Sequence, residues 1–485
     1  MKQILLYTTF VSLALSACMS LSDLSQNQAF LPPVNIDTSI NQALDTPYFS
    51  QGCWPNANWW KSLESPELNA LIEDALSNNP SIESVRQKVE VAKQMTIKSK
   101  SSLFPFLSFN AQEDWEHISK AGVRHAYNPD LGVNVNQIQF DLGFQYEFDF
   151  WGKYRNTFKS AKRKALAQVA ESKQVELIVS AAISQSFYLL KTNLNKLEFY
   201  NQLLLTRQNL YSLSMTLEKH FMLSKIAPAT AKQKLDDVKK EITSLNDQIA
   251  SNKYLINVLR GQSPDAPIGI SNCLTNVPQS LSIPTDLSSD LLVQRPDLIA
   301  SILKVESLAY AKNSAIADFF PRINLRSYAG FDSIGYKHLL NWQSGIMGLL
   351  PSFHLPIFKA GEIKANYKVK QAELDEAIYS YNELILKSLQ EVSDSLSSIT
   401  SWYKQREIQE NILLNASLKF DLIKQRTEIG IDSFINLNLQ KEHLLEKEID
   451  NIQIVYNQYI SLIQLIKSLG GGIADQNLQS AIEVK

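Results

Sequence analysis

Cysteine is nearly missing from this chain. The three present, Cys18, Cys53 and Cys273, lie far apart without paired spacing, which argues against zinc or iron–sulfur ligation. The six histidines form neither an HExxH nor an HxH arrangement. No GxSxG or P-loop sequence occurs, so neither catalysis nor nucleotide handling has a carrier, and no catalytic residue, metal site or enzyme activity is expected. Charge of one sign is also lacking: 47 basic against 49 acidic residues leave −2, which gives no electrostatic case for nucleic acid. Acidic pairs such as Asp236-Asp237 sit among lysines at helical spacing and read as solvated surface. With 45% hydrophobic and 20% charged residues, the composition is that of a folded chain rather than a disordered one.

The most telling absence is of helix breakers. Between Gly152 and Gly261 the only glycine or proline is Pro228, and between Gly361 and Gly470 it is Gly430. Both windows span 109 positions, displaced by 209. Their longest unbroken runs, Lys153 to Ala227 and Glu362 to Ile429, are 75 and 68 residues, against about 11 or 12 for an average helix. These runs are amphipathic, with a stripe such as Leu177, Ala181, Phe187 and Leu190 suited to coiled-coil contacts. The chain is built to span a distance, as one elongated body of two similar halves.

What is present at the N-terminus is an address. Lys2, the apolar stretch Ile4 to Leu15 and the ending Leu15-Ser16-Ala17-Cys18 form a signal too short to stay in a bilayer. A cysteine directly after the small residues reads as a bacterial lipoprotein signal, with Cys18 carrying diacylglyceryl and N-acyl lipid and no other cofactor implied. By resemblance to known lipoproteins, Met19 in place of an aspartate favours the outer membrane over retention in the inner one. In that oxidising compartment Cys53 and Cys273 are a possible disulfide, with two buried free thiols as the alternative.

From Gln137 to Phe150 the even positions are Ile138, Phe140, Leu142, Phe144, Tyr146, Phe148 and Phe150, and the odd ones are polar apart from Gly143. That alternation predicts a strand with an aromatic face toward lipid and a wet face carrying Asp141, Glu147 and Asp149, which would confer cation preference. Leu107 to about Ile118 is its predicted antiparallel partner. The second half repeats the order. A helix from about Ser289 ends at Phe320-Pro321, as an earlier one ends at Phe104-Pro105. Strands follow from Arg322 to Asp332 and from about Ser344 to Ile357. Residues 19 to about 58 read as an extended tether. Four strands cannot close a barrel, and open edges are forbidden in lipid, so several copies must share one. Three copies supply twelve strands; hydropathy alone does not separate three from four.

Gln294-Arg295-Pro296-Asp297, followed at the end of the same predicted helix by Phe320-Pro321, resembles the RPD … FP signature of TolC-like outer-membrane factors. More narrowly it resembles their lipoprotein branch, NodT-type, serving resistance-nodulation-division efflux pumps. Gly361, Gly430 and Leu469-Gly470-Gly471-Gly472 match in order, and the resemblance covers about Trp59 to Gly472. It implies a mainly α fold with membrane β structure. A homotrimer would share a twelve-stranded barrel continued by a periplasmic helical tunnel, with an equatorial belt. The function implied is a passive exit duct for small molecules such as drugs, docked to a periplasmic adaptor and an inner-membrane pump. Type I protein secretion or metal-ion efflux is the alternative. Arg295, Pro296 and Asp297 read as a helix start rather than a cargo contact. Aligned on Gly430, the periplasmic gate falls at Ile435 and Leu439, with Asn436 nearby. Relatives often carry an aspartate where Leu439 stands, so an acidic ring is absent. The first-half tip has Lys225-Ile226-Ala227-Pro228 instead of a glycine and is expected to differ in shape. The implied organisation is a signal peptide (1–17), a lipidated tether and equatorial segment (18–60) and a first repeat (61–261). An equatorial linker (262–288), a second repeat (289–472) and a tail (473–485) complete it.

Overall fold

A computed structural model of the chain describes residues 30–32, 34, 36–52, 54–130, 132–270, 281–284 and 295–472; Cys18, Cys53 and Cys273 lie outside them. The first half runs α1 (Asp37–Leu44), β1 (Phe49–Gly52), α2 (Pro66–Asn78), α3 (Pro80–Ser101), β2 (Phe106–His117), a short α4 (Val123–Tyr127), β3 (Asn134–Phe148), α5 (Lys153–Lys219) and α6 (Ile226–Leu259). After β4 (Leu281–Pro284), the second half runs α7 (Pro296–Ala317), β5 (Arg322–Ile334), β6 (Gly345–His354), α8 (Glu362–Glu428) and α9 (Phe434–Ser468).

The duplication holds to the residue. Helices α5 and α8 are each 67 residues, about 100 Å long at about 1.5 Å per residue. Each begins after a left-handed glycine, Gly152 (φ 75°) or Gly361 (φ 86°). They also end alike, but the tips differ beyond that point, as expected. Residues 220–225 lead into α6 through Lys225 without a side-chain cap, whereas 429–433 lead into α9 through an extended Ser433 that caps it. Under the displacement that relates the two windows, the counterpart of Gly430 (φ 78°) is Phe221 (φ 60°), not the Lys225–Pro228 stretch. At both ends the amide after the left-handed residue reaches back to close the helix. Met222 donates to the Leu217 carbonyl (2.9 Å) and Ile431 to that of Arg426 (2.8 Å). Pro228 sits in the first turn of α6, where its missing N–H costs nothing.

The other starts follow local chemistry. Ser65 caps α2 by accepting from the Leu68 N–H, and Asn79 caps α3 by accepting from Ser81 and Ile82, each cap followed by proline. The supposed tether is not extended throughout. It contains α1, and β1 pairs in parallel with β4 from Phe49–Leu281 to Gly52–Pro284. Both are short and set by partners distant in sequence, so neither carries a readable period.

The largest core lies about halfway down the long helices, where Ile40, Phe49, Trp59, Trp60, Leu68 and Ile72 pack on residues of α5, α8 and α9. At its centre Tyr188 of α5 stacks on Tyr459 of α9 (ring centroids 3.8 Å apart, 13° between planes). Burial drives the Tyr188 hydroxyl pKa far above its ordinary value, so this ring stays a neutral packing group there.

Candidate conduit wall and helical tips

β2, β3, β5 and β6 form one antiparallel sheet in that order. Its register sorts the side chains. Leu142 faces Phe109 and Ala329, Phe144 faces Leu107, and Phe140 lies between Ala111 and Phe331; Leu349, Pro351 and Phe353 of β6 continue the same face. The opposite face carries Asn110, Gln112, Asp114, Gln137, Gln139, Asp141, Glu147, Asn324, Arg326 and Asp332. The apolar rows run from Ile138 to Phe148, ten residues at about 3.4 Å each. At a tilt of about 40° that is a band roughly 26 Å tall, against about 25 Å for the lipid-facing band of an outer-membrane barrel. Among the described residues no helix is long and apolar enough to cross a membrane.

Asp141 stands on the polar face, accepting from the Asn110 amide (3.1 Å). Glu147 shares that face, at its lower end. It bonds the hydroxyl of Tyr154, whose pKa is pushed up to about 12, first by burial and then by this carboxylate. Asp149 does not belong with them. The strand ends at Phe148, and the Asp149 carboxylate accepts from the N–H groups of Tyr154 (3.1 Å) and Arg155 (2.8 Å) and pairs with the Arg155 guanidinium (3.3 Å). Polar alternation ran one step past the strand because a helix-capping acid looks like a wet strand residue.

Asp114 and Asp332 were missed and belong to the polar face, bonded by the amides of Gln112 (2.8 Å) and Gln137 (3.0 Å). Their signal was blurred in β2 by Glu113, which lies on the apolar side at its outer end. There it is satisfied by the Tyr336 hydroxyl (2.7 Å) and the Asn136 amide (2.8 Å).

The signature residues are joints. Arg295, its side chain 6% exposed, forks onto Asp297 (3.1 and 2.7 Å) and also donates to Glu391 of α8 (2.9 Å) and to the Ser468 carbonyl at the end of α9 (3.0 Å). Burial alone would lower its pKa, but Asp297 and Glu391 outweigh that and hold it above its ordinary value. In the first half Asn79 does the same work, its amide donating to the carbonyl of Leu259 (2.7 Å), the first-half equivalent of Ser468. Phe320 stacks on Trp151 (4.7 Å, 18°), whose indole donates to the Pro321 carbonyl (2.7 Å). The Phe-Pro pair thus locks the entry of β5 to the exit of β3.

At the far end, Gly430 turns α8 into α9. Ile435 is half-buried there and Leu439 is 41% exposed. Asn436 is engaged locally, its amide donating to Asp432 (2.9 Å), which also takes the Arg426 guanidinium (2.8 Å). Those bonds, Asn436 first, hold the Asp432 carboxyl below its ordinary range. A turn further along, a charge cluster that the sequence did not reveal ties α9 to the first-half hairpin. Glu442, almost wholly buried, accepts from Arg207 of α5 (3.0 Å) and Lys234 of α6 (3.1 Å), and Arg207 also holds Glu446 (3.0 Å). Glu442 stands 235 and 208 positions along the chain from these two cations. Among the described residues no group of three or more His, Cys, Asp and Glu is placed to hold a metal ion.

The family described as outer membrane efflux protein matches residues 71–251 and 287–471. The multidrug resistance outer membrane protein MdtP of Escherichia coli K12 is 23% identical over 439 residues, which are 88% of this chain and 89% of that protein. The probable outer membrane lipoprotein SilC of Salmonella typhimurium is 23% identical over 483 residues, 97% and 99% of the two chains. Among solved structures, the CmeC outer membrane channel of Campylobacter jejuni superposes with a TM-score of 0.84 at 22% identity, covering 95% of this chain and 98% of that one.

Proposed function

This chain belongs to the outer membrane efflux protein family, and from that premise we propose that it is the exit duct of a tripartite efflux assembly. Three copies share one barrel in the outer membrane and one helical tunnel below it, and small molecules such as drugs pass through without chemistry. An adaptor and an inner-membrane pump select and deliver them. The single observation that carries this reading is the four-stranded sheet. It has an apolar band of membrane height, an acidic reverse and two open edges. Unpaired strand edges cost several kcal/mol per backbone group in lipid, so the sheet is complete only when copies close it.

The anchor is a lipid on Cys18. Phe30 packs edge-on against Tyr381 (5.7 Å) and the Leu31 N–H donates to Asn382 (3.2 Å), which fixes the tether on α8. That point is about five turns below Glu362, about 29 Å from the sheet end of the helix. The twelve residue-to-residue steps from Cys18 to Phe30 reach at most about 42 Å, enough for the lipid to enter the membrane.

The lower end is closed by Ile435 and Leu439, three copies of each making an apolar constriction that opens by wetting. The full-length chain in planar bilayers tests both parts. It should conduct, and serine at both positions should raise conductance. Neutralising Asp141 and Glu147 together should reduce cation preference. A purified chain that is monomeric in detergent and conducts nothing overturns the duct.

A further inference from the structure

The chain contains a template for its own seam. Pro296-Asp297 and Phe320-Pro321 follow Pro80-Ser81 and Phe104-Pro105 by 216 positions, while Gly361 and α8 follow Gly152 and α5 by 209. These two offsets reproduce the hairpin register without adjustment. Moving β2 by 216 and β3 by 209 turns the pair Phe106–Gln145 into Arg322–His354, the observed first pair of β5 and β6. The pairing registers of the two hairpins are therefore equivalent residue for residue, although β3 has 15 residues and β6 has 10. Within the chain they meet along β3 and β5, with Phe148 opposite Ile323 and Phe140 opposite Phe331. The same offsets applied to that junction give the junction between β6 of one copy and β2 of the next.

We propose that copies of this chain join in one antiparallel register, in which Phe353 lies opposite Ala111, Ser352 opposite Gln112 and Leu349 opposite Trp115 of the neighbouring copy. This rests on the reading that copies share a barrel and adds which backbone groups meet. Eight residue pairs result, from His354–Asn110 to Met347–His117, against twelve at the internal β3–β5 junction. A register derived from offsets alone had no obligation to respect the faces, since a slip of one residue inverts every side chain. It does respect them: Phe353, Pro351 and Leu349 remain on the lipid side with Ala111 and Trp115, and Leu350 meets Asp114 on the wet side.

The helices carry the same message. Within the chain α5 packs on α7 and α9, so between copies α8 should pack on the neighbour's α3 and α6. Large apolar side chains are left exposed on those elements: Val91 and Met95 on α3, Leu255 and Val258 on α6, Val369 and Ile408 on α8. The Trp151–Phe320 stack is not duplicated. Phe104 stands in the phenylalanine position, but Ala360 stands in the tryptophan's, so the seam lacks that lock.

Cysteine cross-linking of the full lipidated chain in outer membranes tests the register. Ser352→Cys combined with Gln112→Cys should form an inter-chain disulfide on mild oxidation. The rate should be about tenfold that of Ser352→Cys with Asn110→Cys or Asp114→Cys, because opposite positions are about 5 Å apart and diagonal ones about 7–8 Å. The product should be a covalent ladder ending at three copies. The single-cysteine variants control for the native thiols and for assembly. If the Asn110 or Asp114 pair reacts faster while the ladder remains, the register is wrong and the shared barrel survives. If no pair yields an inter-chain product and the chain is monomeric in detergent, the barrel reading falls with it.

Discussion

Replacing Arg295 with alanine should loosen the joint between α7, α8 and α9 by about 3–5 kcal/mol, the usual cost of removing one partner from a buried ion pair. The structure says where that comes from. The guanidinium makes two bonds to Asp297, one to Glu391 and one to the Ser468 carbonyl. Its loss leaves the mostly buried Asp297 carboxylate with only the Leu298 N–H (2.8 Å) and strands a buried carbonyl, an unsatisfied buried group costing about 1–3 kcal/mol. Glu391 is 42% exposed, so solvent screens its share. Asn79→Ala breaks the equivalent joint of the first half, but there a neutral amide spans to Leu259, and the loss should be nearer about 2 kcal/mol. Arg295→Lys should fall between, keeping charge while losing the fork. Hydrogen exchange of the assembled protein in micelles reads this locally. Amides in the first turn of α7 and the last turn of α9 should exchange about 100- to 3,000-fold faster in Arg295→Ala, at about 1.4 kcal/mol per tenfold. Protection within tenfold of the parent, or a larger effect from Asn79→Ala, would refute a charged-clamp role for the signature arginine.

Phe221→Gly should stabilise the first tip by about 1 kcal/mol: the ring is 96% exposed, so nothing is lost but the cost of a left-handed aromatic residue. Slower exchange of the Met222 amide would be the readout, and faster exchange would count against it. Gly261→Ala and Gly430→Ala should differ. Both glycines have positive φ, but a Cβ at Gly261 collides with the Asn78 carbonyl while Gly430 faces open space. The first change should lower the melting temperature of the assembly and the second should cost only about 1 kcal/mol locally. Acid should loosen the start of α9. Asp432 is held below its ordinary pKa of 3.8, so its contribution is complete above that value and is lost as pH falls through the folded-state value. A fluorescent probe on Phe434→Cys should report that transition, and Asp432→Asn should abolish it.

Much of this was legible because it is periodic. The wall of β3 could be read from Ile138 to Phe148 since one side must be apolar and the other wet, and the long helices from what interrupts them. Three things resisted. The stop of α5 at Phe221 carries no glycine, because backbone hydrogen bonds alone hold the left-handed turn. Asp149 looked like a strand residue because a helix cap needs the same acid. The β1–β4 pair and the Arg207–Glu442 contact join partners from opposite halves of the chain, and one sequence holds no trace of such partners. The sheet register was latent in two offsets that acquire meaning only once the strands are paired.

Equal length in α5 and α8 has a genetic corollary. Deleting a single residue midway along either would withdraw its tip by about 1.5 Å and swing every side chain beyond the cut by about 100°. The aligned stripe would then turn away from its neighbours. The two rods behave like matched legs of a tripod, free to lengthen only together and by whole turns. Insertions should therefore be tolerated at the bends after Lys219 and Glu428, and almost nowhere above them.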